Sequence, residues 1–158
     1  MREKYNRETD NIEQNCTYTA EAHHIITLRN KKMSTWFQLV PAVVAAALGA
    51  AVGGGFISAW WVWISVVSAV IAAVGNVLNP MKEYYDNLNA AKNFTALKHD
   101  ARALRDVFSS RMNDEEYMTA VQILHDRYND LLRFAPPTNK EAFEEARKRV
   151  KEGIHKPD

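Results

Sequence analysis

The residues able to do chemistry in this chain are few, and their spacing does not suit it. His99-Asp100 and His125-Asp126 each pair an imidazole with a carboxylate, the combination used in general acid–base catalysis. Adjacent residues on a helix point about 100° apart, so neither pair converges on one substrate atom, and both read as surface residues. The same divergence separates His23 from His24 and argues against a shared metal; both read as solvated or interhelical. There is no HExxH, and Cys16 is the single cysteine. Gly53-Gly54-Gly55 lacks the Lys-Ser/Thr that a phosphate-cradling loop requires. Tyr84 and Tyr85 read as interface anchors. The expectation is a non-enzyme with no catalytic residues, no cofactor and no metal site. Lys+Arg 20 against Asp+Glu 19 gives no basic excess, so direct nucleic-acid binding is not expected.

What remains is polar but uncharged. Ser58, Ser65, Ser68, Asn76 and Asn79 fall near one face of an apolar stretch, with Ala72 bridging the gap. Such a stripe either lines water, which makes these five the candidate pore-lining residues, or hydrogen-bonds a neighbouring helix.

These residues sit in an unusual block. No charge occurs between Lys32 and Lys82, a run of 49 positions, and all charged residues lie outside it. A bilayer core is about 30 Å thick and is crossed by roughly 20 helical residues, so the block suits two spans joined by a turn. The stretch GAAVGGGFISAWWVW, residues 49–63, places three glycines near the middle, where a tight reversal needs residues without side chains. Residues 34–53 are predicted as the first span and 56–78 as the second. Burying such a block in a soluble core would require a large apolar cover, and the highly charged remainder of the chain cannot supply one.

Trp60, Trp61 and Trp63 follow the glycine bend and Trp36 stands at the opposite end, as rings anchored at two membrane interfaces would. Arg29, Lys31 and Lys32 precede the first span and Lys82 follows the second, while the turn carries no charge. Positive-inside logic puts both termini in the cytoplasm. The N-terminal segment has no apolar signal-peptide core, so the first span is expected to act as its own membrane signal. Small residues repeat every fourth position in the first span: Ala45, Gly49 and Gly53 in one row, Ala42, Ala46, Ala50 and Gly54 in the next. These rows suit close helix packing, within one chain or between chains. Pro41 predicts a kink.

The flanking segments read as helices that form a cytoplasmic bundle. Asp10 and Glu13 have capping-box spacing, predicting a helix from about Asn11 through residue 33 into the first span. After Asn79-Pro80 ends the second span, an amphipathic helix over 81–110 carries Tyr84, Leu88, Ala91, Phe94, Leu97, Ala101, Leu104 and Phe108 on one side. Asn113 is predicted to cap a helix over 114–134 with Tyr117, Val121, Leu124, Tyr128 and Leu131 inward. Pro136-Pro137 stops it, and a last helix over 140–152 shows Phe143, Ala146 and Val150, with Gly153 as its cap. Lys92, Lys98, Arg102 and Arg105 either contact a nucleotide or stay solvated, with solvation the simpler reading. The fold class is an all-α membrane protein, a single domain over 1–158: a two-helix transmembrane hairpin with a cytoplasmic helical bundle built from the N- and C-terminal segments.

This order of features resembles the SLATT family of two-transmembrane bacterial effectors. The resemblance runs roughly from residue 10 to 153. It rests on a helix with Tyr18, Ala22 and Arg29 leading into the Trp36 span, a second span closed by Asn79-Pro80, the segment LNAAKNFTALKHDARAL after Tyr84-Tyr85, and Arg127-Tyr128-Asn129 ahead of Pro136-Pro137. It implies an oligomeric pore-forming or membrane-disrupting effector of antiphage defence in the bacterial inner membrane. Its implied partners are copies of itself, the lipid bilayer, and a nucleotide second messenger or an associated nucleotidyltransferase or reverse transcriptase. A non-channel membrane adaptor that recruits a cytoplasmic partner through its helices is the alternative.

Overall fold

The computed structural model describes residues 2–55 and 58–153. Among them every regular element is helical: α1 (Arg2–Gly53), α2 (Ala59–Leu78), α3 (Pro80–Ala103), α4 (Asp114–Phe134) and α5 (Lys140–Lys151). A π-helical turn (Leu104–Phe108) and a 3-10 turn (Ser109–Arg111) join α3 to α4. The chain divides into two units. One comprises Met1–Thr27 with Tyr85–Asp158, the other Leu28–Tyr84.

The first unit is a set of packed helices around an aromatic and aliphatic core. Ile12, Cys16 and Ala20 recur every four residues on α1 and meet Phe94, Leu97 and Ala101 of α3 and Tyr117, Val121 and Leu124 of α4. A second cluster packs Ala22 and Ile25 of α1 against Ala142 and Ala146 of α5. From the first predicted stripe Phe94, Leu97, Ala101 and Leu104, and from the second Tyr117, Val121 and Leu124, supply this core, with Tyr128 and Leu131 partly buried against it; Tyr84, Leu88 and Ala91 lie outside the cluster. Phe108 is about half exposed, because the π turn inserts an extra residue and shifts the face by roughly a third of a turn.

Local signals set most helix ends. The Glu116 N–H donates to Asn113 Oδ1 at 2.9 Å and the Asn113 N–H donates to Glu116 Oε2 at 3.0 Å, a reciprocal cap for α4. Asn139 Oδ1 accepts from the Ala142 N–H at 2.8 Å and starts α5. Asn79 adopts a left-handed conformation (φ 42°, ψ 56°), which ends α2, and Pro80 then opens α3 at a position where no N–H is needed.

Two expectations need correction. α1 starts at Arg2, so Asp10 and Glu13 lie inside a helix that runs unbroken through Pro41 to Gly53. Their capping-box spacing is coincidental, and both carboxylates instead pair with arginines of α3 and its extension. The second helical span begins at Ala59; Phe56 and Ile57, included in the predicted span, lie outside the described residues. Gly55, at φ +75°, supplies the positive-φ step of the turn.

Candidate functional site

In the second unit, the end of α1 and the whole of α2 are long and apolar enough to cross a membrane. They touch along a narrow seam. One tight contact is Phe37 against Gly75: a Cβ added to Gly75 would stand 2.8 Å from Phe37 Cβ. This glycine is used because two helix surfaces meet there and leave no room for a side chain. Val40, Val44 and Ser68 continue the seam toward the turn, beside an apolar groove also lined by Trp60, Trp63 and Ile71.

The small-residue rows point elsewhere. Ala45, Ala46, Gly49, Ala50 and Gly53 are all exposed, and nothing lies within 4 Å of a Cβ built at Gly49 or Gly53. Among the described residues no close packing partner stands at the two glycines. Packing within the chain falls to the opposite face of α1, where Phe37 lodges against Gly75.

The polar stripe of α2 divides. Ser68 is buried (8% exposed). Ser65 is half-buried, and its hydroxyl donates to the Val62 carbonyl at 2.7 Å, a local back-bond that leaves it little to offer another helix. Ser58 precedes α2 without a side-chain cap bond. Asn76 and Asn79, at the other end, line a crevice of about 450 Å³ together with Ser34 and Gln38 of α1. Ser34 is almost fully buried (3% exposed), and its Oγ accepts from Gln38 Nε2 at 3.3 Å. The four residues place two hydroxyl or amide groups from each helix around one opening. Ser34 and Gln38 escaped sequence reasoning because each is an isolated polar residue in the first turns of a span. Their i,i+4 spacing, which faces one side of a helix, was the available signal.

Trp36, Trp60 and Trp63 are well exposed and Trp61 is half-buried. Lys31, Lys32 and Lys82 are exposed at the crevice end of the hairpin's sequence.

The first unit holds the remaining candidates, and each has a structural occupation. His23 is buried; its Nδ1 lies 2.8 Å from Asn87 Oδ1 and its ring stacks on Phe94, with centroids 5.8 Å apart. Burial pushes its pKa below the ordinary histidine value, only partly offset by the Asn87 bond, which favours the neutral ring. Arg102 and Arg105 are not simply solvated, as the sequence suggested. Arg102 Nη2 lies 2.9 Å from Glu13 Oε1 and Arg105 Nη1 lies 2.6 Å from Glu13 Oε2, while Arg105 also pairs with Asp10 and Asp106. The hydrogen bond from Arg105 holds the Asp106 carboxyl below the usual range. Two guanidiniums on one nearly buried carboxylate fasten α1 to the α3 strand of helix and leave little positive charge for a phosphate. Arg149 bridges Glu21 and Glu145 in the same manner.

His125 lies 3.0 Å from Glu8, and Asp100 pairs with Arg127 at 2.9 Å, so each His–Asp dipeptide splits between different partners or solvent. Cys16 is fully buried, its thiol pushed up to about 12 by desolvation, and acts as a small apolar side chain. Among the described residues no three metal-ligating side chains converge.

The polar crevice of the hairpin is thus the place where unengaged hydrogen-bonding groups gather. Compared with protein-family models, with curated proteins and with solved structures, the chain matches none of them.

Proposed function

We propose that the chain is a two-span protein of a bacterial inner membrane, with both ends in the cytoplasm, that acts as an oligomeric pore-forming or membrane-disrupting effector. One observation carries the membrane part of this reading. The large apolar side chains of the hairpin, among them Trp60, Val62, Val70 and Val77, are turned outward on every side of α2 that does not meet α1. Such a surface suits lipid and is incompatible with water over that area. The lysines that flank the block, with none in the turn, favour the stated orientation.

Assembly follows from geometry. A single pair of helices cannot enclose water, so a conducting path needs several copies. The open rows around Ala45, Gly49 and Gly53 suit contact between chains, since among the described residues nothing stands within 4 Å of a Cβ built at Gly49 or Gly53. Ser68 and Asn76 lie along the seam, and a shift between α1 and α2 would turn them to a common axis. The resemblance to the SLATT effectors supplies the setting, antiphage defence triggered by a nucleotide signal or a partner protein.

Induction of the intact chain is expected to depolarise the cell membrane, read with a voltage-sensitive dye. The double substitution Ser68→Leu with Asn76→Leu is expected to abolish the signal at an unchanged membrane level. Full depolarisation by that variant rejects these residues as pore lining.

A membrane adaptor is the second reading. It is favoured by Ile123, Leu132 and Phe134, exposed apolar residues on α4 suited to a cytoplasmic partner. Release of a trapped dye from vesicles by the purified protein separates the two, because an adaptor releases none.

A further inference from the structure

The geometry points to the crevice lined by Ser34, Gln38, Asn76 and Asn79 as a binding site for the headgroup phosphate of an anionic phospholipid. The inference rests on the hairpin lying in a membrane, and it is independent of whether the protein forms a pore.

The first ground is the donor inventory. Ser34 is nine-tenths buried, yet its hydroxyl only accepts, from Gln38; its own proton has no acceptor. A helical serine ordinarily returns that proton to the carbonyl one turn back, as Thr27 and Thr35 do in the same helix. Asn76 makes no side-chain hydrogen bond. Asn79 uses only its Oδ1, which accepts the Lys82 N–H at 3.3 Å, so its amide N–H groups are free. The crevice therefore presents the hydroxyl of a buried serine beside the amide N–H groups of two exposed asparagines, donors that no protein acceptor takes up.

Charge is the second ground. No carboxylate lines the crevice. Lys31 stands one helical turn before Ser34, on the same side, and the Lys82 backbone is bonded to Asn79. Among the described residues Lys31, Lys32 and Lys82 have no carboxylate partner, in contrast to Arg102, Arg105 and Arg149. These exposed lysines do not line the crevice but flank it in sequence, and each adds attraction between this end of the hairpin and an anionic leaflet.

The third ground is the surrounding surface. Met33, Trp36, Leu78 and Met81, beside the crevice in sequence, are exposed and apolar. They provide a bed for acyl chains next to the headgroup site, which a free anion would not need. α2 ends and α3 begins at this point, so their opposed dipoles largely cancel, and the side chains carry the recognition.

The test uses the full chain in mixed vesicles and micelles. Flotation with phosphatidylcholine vesicles first checks membrane association. Native mass spectrometry then compares retained phosphatidylglycerol with retained phosphatidylcholine. The wild type is expected to prefer phosphatidylglycerol by about tenfold, and Ser34→Ala with Asn76→Ala to lose most of that preference at unchanged helicity. Lys82→Gln, at an exposed side chain that cannot unfold the hairpin, is expected to lower it about threefold.

Equal retention of the two lipids by a protein that floats overturns this inference and leaves the membrane reading intact. Failure to float overturns both. Full preference in the double variant also overturns it, as does complete displacement of phosphatidylglycerol by excess inorganic phosphate, which would make the ligand a free anion.

Discussion

The two units handle the same physical problem in opposite ways. In the helical unit Phe94, Leu97 and Tyr117 are completely buried, and the inward carboxylates Glu13 and Glu21 are met by arginines. In the hairpin the order is inverted: Val77 is 85% exposed and Trp60 76%, while the most buried side chains include the hydroxyls of Ser34 and Ser68. The helical unit hides carbon and pairs charge, whereas the hairpin presents carbon outward and buries Ser34 and Ser68. The contrast teaches that one chain of average composition can carry two units of opposite surface character, and that totals over the whole chain average the difference away.

Three measurements would break or sharpen the contrast. The largest effect is expected in the helical unit. Phe94→Ala should lower stability by about 3–5 kcal/mol in denaturant titrations of the detergent-solubilised protein, because it empties a closed core. Val77→Ala should change it by less than about 0.5 kcal/mol. Similar losses for the two would erase the distinction between the units.

A smaller effect is expected at the hairpin seam. Gly75→Ala sets a methyl group against Phe37 Cβ at 2.8 Å, a contact between atoms fixed to two helices, and should cost about 1–3 kcal/mol in thermal unfolding in micelles. An unchanged melting temperature would mean that the helices do not close there.

The smallest concerns pH. His23 has its pKa lowered by burial, so its neutral form is favoured in the folded state. That contribution is complete above the unfolded value near 6.5 and is lost as pH falls toward the lower folded value. Melting temperature should therefore decline below about pH 6.5, and His23→Gln, which keeps an amide to meet Asn87, should flatten the decline. An identical pH profile for the variant would remove His23 as its source.

Much of this was legible along the chain. The charge-free block shows in the sequence as two helices long and apolar enough to cross a membrane, and the glycine turn and the Asn79-Pro80 break follow from backbone conformations that few residues adopt. Asn113 with Glu116 and the stripes through Phe94 and Tyr117 are local periodic signals, and the structure uses them as read.

What was hidden depended on partners distant in sequence. Asp10 and Glu13 imitate a cap because the spacing of a cap is also the spacing of two residues facing one neighbouring helix. Only the arginines about 90 positions later decide between these uses. The side of α1 that packs within the chain was equally hidden, since rows of Ala and Gly occur on more than one face of an alanine-rich helix. Phe37, a bulky residue matched to Gly75 on α2, settles it. Ser34 and Gln38 carry no signal of their own until Asn76 and Asn79 are brought opposite them.

The wide turn at Leu104–Phe108 has a further consequence. By accommodating one residue more than an α-helical turn would, it shifts the phase of the segment that follows, where the backbone oxygens of Ser109 and Met112 both accept from Arg2. The guanidinium of Arg2 also lies 5.3 Å over the ring of Tyr117. The opening residues of α1 are therefore latched by slack in a helix more than a hundred positions away. Deleting a single residue from that turn would restore the rhythm of the helix, withdraw both acceptors and let the amino-terminal end fray.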